Sequence, residues 1–221
     1  MVFTLNNVSN LFLVRLGAHH RTEVSIGTEQ DVQITEIIMH EDYNVPLKYS
    51  NDIALLKLMA SADLGVGIGV VCMPDMKYAL PFDSKNKPCW ITGWGRLSSG
   101  GIQPDTLMEV RVPLVSKQRC QSAYPGKIND NMLCAGLDEG GIDSCQGDSG
   151  GPLVCEFNGT WYLEGVVSWG YGCAVPGKYG VYAHVRKLKS WVSQNKYDVV
   201  QPSPSPQSQS ASLLGKLFCT T

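Results

Sequence analysis

Short runs of β-branched and aromatic residues, each bounded by turn residues, constrain this chain to an all-β design. Such runs fall at residues 11–16, 32–38, 53–58, 89–94, 108–115, 153–157, 161–169 and 180–185. Glycine-rich loops such as SSGG (98–101) and DEGG (138–141) separate them. Only two helices are predicted. One is short, over 116–123. The other, over 185–194, sets Val185, Leu188 and Val192 on one face at helical spacing, with Trp191 beside them. A barrel or sandwich follows from this pattern.

The length of 221 residues suits one large domain or two small ones, and 43% hydrophobic content suffices for a core. Net charge is −2 with no block of like charges, so neither nucleic acid nor an anionic membrane is implied as a partner. No run reaches the roughly 18 apolar residues of a membrane span. The longest candidate, 64–73, holds three glycines. Residues 201–210, QPSPSPQSQS, are of low complexity and cannot bury enough apolar surface to fold. The expected organisation is a folded domain over 1–196 and a disordered Pro/Ser/Gln-rich tail over 197–221.

Cysteines stand at 72, 89, 120, 134, 145, 155, 173 and 219, with no CxxC pair and no histidine at zinc-ligand spacing. They read as disulfides, and hence as an oxidising, extracellular setting. Asn7-Val8-Ser9 and Asn158-Gly159-Thr160 are glycosylation sequons that agree with this. A secretory signal peptide is not seen. Before Arg15 there is no charge, and Leu11–Val14 is the only short apolar run. The combination suggests that a segment is absent from the front.

The stretch Ser144-Cys145-Gln146-Gly147-Asp148-Ser149-Gly150-Gly151-Pro152-Leu153 has the character of a loop that exposes one hydroxyl. Glycine permits close backbone approach to a ligand. A serine hydroxyl, however, is a poor nucleophile until a neighbouring base takes its proton.

SCQGDSGGPLVC, together with SNDIALLKL (50–58), CWITGWG (89–95), NMLCAG (131–136), VVSWGYGC (166–173) and GVY (180–182), resembles trypsin-like serine endopeptidases of the chymotrypsin family. The resemblance covers roughly residues 2–196. It implies two β-barrels and a C-terminal helix, with the N-terminal barrel incomplete here. It also implies peptide-bond hydrolysis through an acyl-enzyme, the reaction for which that family is the worked template.

By that resemblance Ser149 is the nucleophile, and the N–H groups of Gly147 and Ser149 form the oxyanion hole. Asp52 is the carboxylate that orients the base. Asp143 lies at the base of the primary specificity pocket and selects Lys or Arg before the cut through a charge-assisted bond. Gly170 and Gly180 leave room in the pocket walls. Ser168, Trp169 and Gly170 pair with substrate backbone as an added strand. The resemblance further implies the disulfides Cys89–Cys155, Cys120–Cys134 and Cys145–Cys173. Cys72 is left to pair with Cys219 or stay free.

Partners are then a peptide or protein substrate with Lys or Arg before the cut, and protease inhibitors. No cofactor is implied. No metal is expected either, because Ala18 stands where calcium-binding members carry a glutamate, leaving Glu29 as the one matching carboxylate.

The base itself departs from the family pattern. The family histidine sits in a V-L-T-A-A-H-C motif. Here the corresponding stretch is Val2-Phe3-Thr4-Leu5-Asn6-Asn7-Val8, with Asn7 at the histidine and Val8 at the cysteine. His19, His20, His40 and His184 all lie in surface-type contexts of the family. An asparagine amide has no basicity near neutral pH. The new N-terminus that would pair with Asp148 is also missing, so a zymogen-like oxyanion loop is expected. The expectation is a protease by family, inactive as it stands. The alternative is a non-catalytic homologue acting as a binding protein.

Overall fold

The computed structural model describes residues 12–22, 27, 29–74, 76–84, 86 and 89–196, so the predicted tail over 197–221 and the stretch containing Asn7 lie outside it. The described chain is mostly β, in two sheets. Strands β1 (Leu13–Leu16), β2 (Gln30–Met39) and β3 (Ala54–Leu58) form an antiparallel three-stranded sheet. This is the N-terminal lobe.

The C-terminal lobe holds β4 (Cys89–Gly93), β5 (Met108–Val112), β6 (Leu114–Val115), β7 (Met132–Ala135), β8 (Pro152–Phe157), β9 (Thr160–Trp169) and β10 (Gly180–His184). Their order across the sheet is β5-β4-β8-β9-β10-β7-β6. Its two edges are consecutive in sequence, joined only by Pro113. One near-continuous stretch therefore serves as both edges, and the sheet curls on itself. Pro113 has no N–H to give to a ladder, so the run expected over 108–115 divides there. Its carbonyl still accepts from Gly136 N–H at 3.0 Å.

The interior of this curl is filled by Ile91, Val112, Leu114, Leu133, Leu153 and Tyr182, with the Cys89–Cys155 disulfide among them. Strand β7 is buried at all four positions. A run buried on both faces shows no alternation, which is why periodicity passes over it. Cys120–Cys134 ties helix α1 (Lys117–Ala123) to β7, and Cys145–Cys173 ties the loop before β8 to the segment after β9. Cys72 is disulfide-bonded too, which removes the free-thiol alternative.

Helix α2 (Val185–Asn195) buries Val185, Leu188 and Trp191. The Trp191 ring stacks on His40 at 4.8 Å, and its Nε1–H donates to Glu41 at 2.7 Å. The C-terminal helix thereby clamps the loop leading to β3.

Arg186, beside the start of this helix, meets Glu164 of β9 with Nε 2.8 Å from the carboxylate, and the two side chains are 8% and 0% exposed. Tyr78 O–H also donates to that carboxylate, and Arg186 donates to the Tyr78 carbonyl at 2.9 Å. Removing one member of such a pair strands a buried charge, at a cost of about 3–5 kcal/mol. Arg186→Met should therefore lower unfolding free energy by about that amount in urea denaturation. Adding Glu164→Leu should recover most of the loss; equal instability of single and double variants would contradict this account.

Candidate active site

The segment before β3 carries Asp52 from the N-terminal lobe to the C-terminal one. Ser50 and Asn51 are buried, an unusual place for polar side chains unless they are satisfied. They are. Asn51 Nδ2 donates to the carbonyls of Asp42 and Val45, both at 3.0 Å. Asn131, beside β7, donates to Asn51 Oδ1 at 2.6 Å, and Asn129 donates to Ser50 Oγ at 2.7 Å. Two side chains of the C-terminal lobe thus hold the loop of the other. Asp52, next along, accepts from Ser168 Oγ on β9 at 2.6 Å.

Ser149 is exposed in the loop that enters β8, and lines a cavity of about 180 Å³ with Ser168, Trp169, Gly170, Gly180 and Asp143. Every residue predicted for substrate contact lies on this one cavity. Gly147 has φ +102°, a region that side-chain-bearing residues rarely adopt. Among the described residues no hydrogen bond takes up the N–H of Gly147 or of Ser149. The loop is pinned around them, by Asp148 N–H to Cys145 O at 3.0 Å and Gly150 N–H to Val167 O at 2.9 Å.

Asp143 closes one end of the cavity. Ser144 N–H donates to one carboxylate oxygen at 2.8 Å and Ala174 N–H to the other at 3.2 Å. Burial pushes its carboxyl up to about 6, against the downward pull of those two donors, and the nearby Asp148 charge pushes the same way as burial. A Cβ on Gly180 would meet Asp143 Oδ1 at 2.5 Å and Tyr182 O–H at 2.9 Å, so only glycine leaves this carboxylate its place.

Asp148 faces a second, larger cavity of about 440 Å³ that also reaches Asp143. Its carboxylate accepts from Gly95 N–H at 2.7 Å and Cys145 N–H at 2.9 Å. Among the described residues, both of these donors are neutral backbone N–H groups.

The four histidines have different surroundings. His20 Nδ1 lies 3.2 Å from Asp105, and the His19 carbonyl accepts from Trp94 Nε1–H at 3.2 Å. His40 stacks on Trp191, with its Nδ1 accepting from Asp42 N–H at 3.1 Å. His184 ends β10; burial pulls its imidazole down, and its Nε2 has no partner among the described residues. Among the described residues none of these rings is hydrogen-bonded to Ser149 or Asp52. His40, Glu41 and Asp42 offer ligand atoms within 4.8 Å of one another. His40 and Glu41 already make the contacts that seat Trp191.

A family model described as Trypsin matches residues 1–192. This chain belongs to the trypsin family. Trypsin-3 of Salmo salar is 48% identical over 81% of this chain and 71% of its own length. Cationic trypsin-3 of Rattus norvegicus is 46% identical, over 82% of this chain and 69% of its own. Coagulation factor IX of Cavia porcellus is 43% identical, over 78% and 60%. The chain is a trypsin-family serine protease by descent, and the curled β-sheet with its C-terminal helix is the fold of that family.

Sequence reasoning placed Ser149, Asp143, Ser168, Trp169, Gly170 and Gly180 together but did not reach Asn129 and Asn131. NMLCAG signalled the neighbourhood of Asn131, though nothing marked its side chain as a tie to Asn51.

The raised Asp143 carboxyl makes a stability prediction. An aspartate's ordinary value is 3.8, so between that and about 6 the folded chain holds a proton that the unfolded chain has released. Stability falls as pH rises through this window, and the cost is constant above it. Asp143→Asn should be the more stable protein at pH 8, by roughly 2–3 kcal/mol in urea melts, and nearly equal to wild type at pH 4. The same difference at both pH values would show that the carboxyl is not strained by burial.

Proposed function

We propose that this chain is the protease domain of a secreted trypsin-like endopeptidase, and that as a 221-residue chain it binds peptides bearing lysine or arginine without cleaving them at an enzyme's rate. The observation that carries the reading is Asp143 on the cavity that also holds Ser149. A carboxylate there accepts a guanidinium or ammonium in a charge-assisted bond. That cation in turn removes the cost of the buried negative charge.

In the family's reaction a base takes the proton of the serine hydroxyl, here Ser149, as its Oγ attacks the scissile carbonyl, and then passes that proton to the leaving amine. The uncommitted N–H groups of Gly147 and Ser149 take the charge that develops on the carbonyl oxygen. Asp52 and Ser168 occupy the edge from which a base would be oriented. A general base must reach the serine within hydrogen-bond distance, and among the described residues none of the four histidine rings is hydrogen-bonded to Ser149 or Asp52. Loss of a triad member that works as a unit lowers turnover by on the order of 10⁶.

An extracellular setting is supported by the disulfides and by Asn158, exposed at the turn between β8 and β9 within a glycosylation sequon. The domain is taken as 1–196 with the remainder a tail. Protein substrates and protease inhibitors are the partners this site would engage.

A second reading, a protease-like binding protein, is favoured by Asn7 at the histidine position. Both readings predict amidase activity on an arginyl anilide about 10⁶ below that of a complete triad. Turnover comparable to trypsin would overturn both.

The specificity pocket is tested separately by calorimetric titration with benzamidine, an arginine mimic. Affinity should rise as pH increases through about 6, because the cation requires ionised Asp143. It should be lost in Asp143→Asn. Binding that ignores pH and survives that substitution would place the cation elsewhere.

A further inference from the structure

Across Trp169 from the Ser149 cavity lies another, of about 330 Å³, walled by Leu47, Lys48, Tyr49, Lys127, Trp169 and Tyr171. Trp169 lines both. The wall is aromatic, with Tyr49 and Trp169 stacked at 5.9 Å. Its only charges are cationic. Lys48 Nζ sits 4.7 Å from the Tyr49 ring centre and Lys127 Nζ 4.8 Å from that of Tyr171, whose hydroxyl accepts a hydrogen bond from Lys127. Lys178 lies behind, 5.9 Å from the Tyr171 ring, with its ammonium on the Ala123 carbonyl at 2.6 Å. No carboxylate lines the cavity, and among the described residues neither Lys48 nor Lys127 is in an ion pair.

We infer that this cavity takes an aspartate or glutamate side chain of the bound peptide, about two or three residues before the basic one. The inference rests on the peptide-binding reading above. A peptide added as a strand along residues 168–170 advances about 3.3 Å per residue. Its basic side chain enters the cavity with Asp143, and a side chain slightly upstream then passes the far face of Trp169. There it meets two ammonium groups pinned against rings and lacking an anion. A carboxylate completes their charge while its methylenes pack on Tyr49 and Trp169. The two cavities thus carry opposite charge on either side of one indole, and select an acidic residue followed at short distance by a basic one.

The test is calorimetric titration of the full chain with three peptide amides: Glu-Asp-Ala-Arg, its isostere Gln-Asn-Ala-Arg, and Glu-Asp-Ala-Ala. At about 20 mM ionic strength the first should bind roughly tenfold more tightly than the second. That gap should close in Lys48→Met/Lys127→Met and in about 0.5 M salt, and Lys127→Glu should reverse it. Circular dichroism checks that these variants, altered only at exposed lysines, remain folded. The third peptide reports on Asp143 alone: if it binds like the first while the gap to the second persists, the basic-residue reading fails and this inference stands. Equal binding of the first two peptides, a gap that survives loss of both lysines, or no binding of any acidic peptide would overturn it.

Discussion

The Asn131–Asn51 hydrogen bond is the contact on which the site depends. It is a part-buried bond between lobes. Because Asn51 also holds the carbonyls of Asp42 and Val45, its side chain freezes the loop that ends at Asp52. Asn129 on Ser50, Ser168 on Asp52, the Tyr49–Trp169 stack, the helix clamp at Trp191 and the contacts near Asp105 complete the join between the N-terminal sheet and the C-terminal curl. With it, the carboxylate of one lobe reaches the serine-bearing strand of the other, and Asp52 settles on Ser168. The closure of the second sheet through Pro113 supplies the rigid wall that this loop is tied to.

Charge is then distributed in a way that a peptide would resolve. Asp143 is strained by burial, and among the described residues Asp148 accepts only from backbone N–H groups, so the interior behind Ser149 is lined by acidic side chains. On the outer side of Trp169 two ammonium groups rest on tyrosine rings. Under the proposed function, a peptide with an acidic residue shortly before a basic one would offset both.

Much of this was readable from residue pattern, and what was not has physical causes. Strand periodicity placed β2, β3, β4, β8, β9 and β10 to within a few residues, because each packs one face inward or bears a strong β-branched run. It passed over β7, where Met132 to Ala135 are all buried and nothing alternates. It joined β5 to β6 because hydropathy does not register the missing N–H of Pro113. Motif resemblance brought Ser149, Asp143 and Gly180 to one cavity, since those residues are fixed by chemistry that tolerates few alternatives. Asn129, Asn131, Lys48 and Lys127 were beyond such reasoning. A polar residue in a loop looks the same in sequence whether water or another lobe satisfies it. The partners here lie 79 and 80 residues away in sequence for the asparagines, and that separation is set by how the two lobes meet.

The most direct measurement of the central claim is intact-mass analysis after incubation with a phosphonate ester carrying an arginine-like side chain. Such a reagent is drawn into the primary pocket and bonds only to a serine hydroxyl activated by a base. The account predicts that the mass of the chain stays unchanged while the reagent competes for benzamidine binding. A stoichiometric adduct mapped to Ser149 would contradict it, since the hydroxyl would then have a working base.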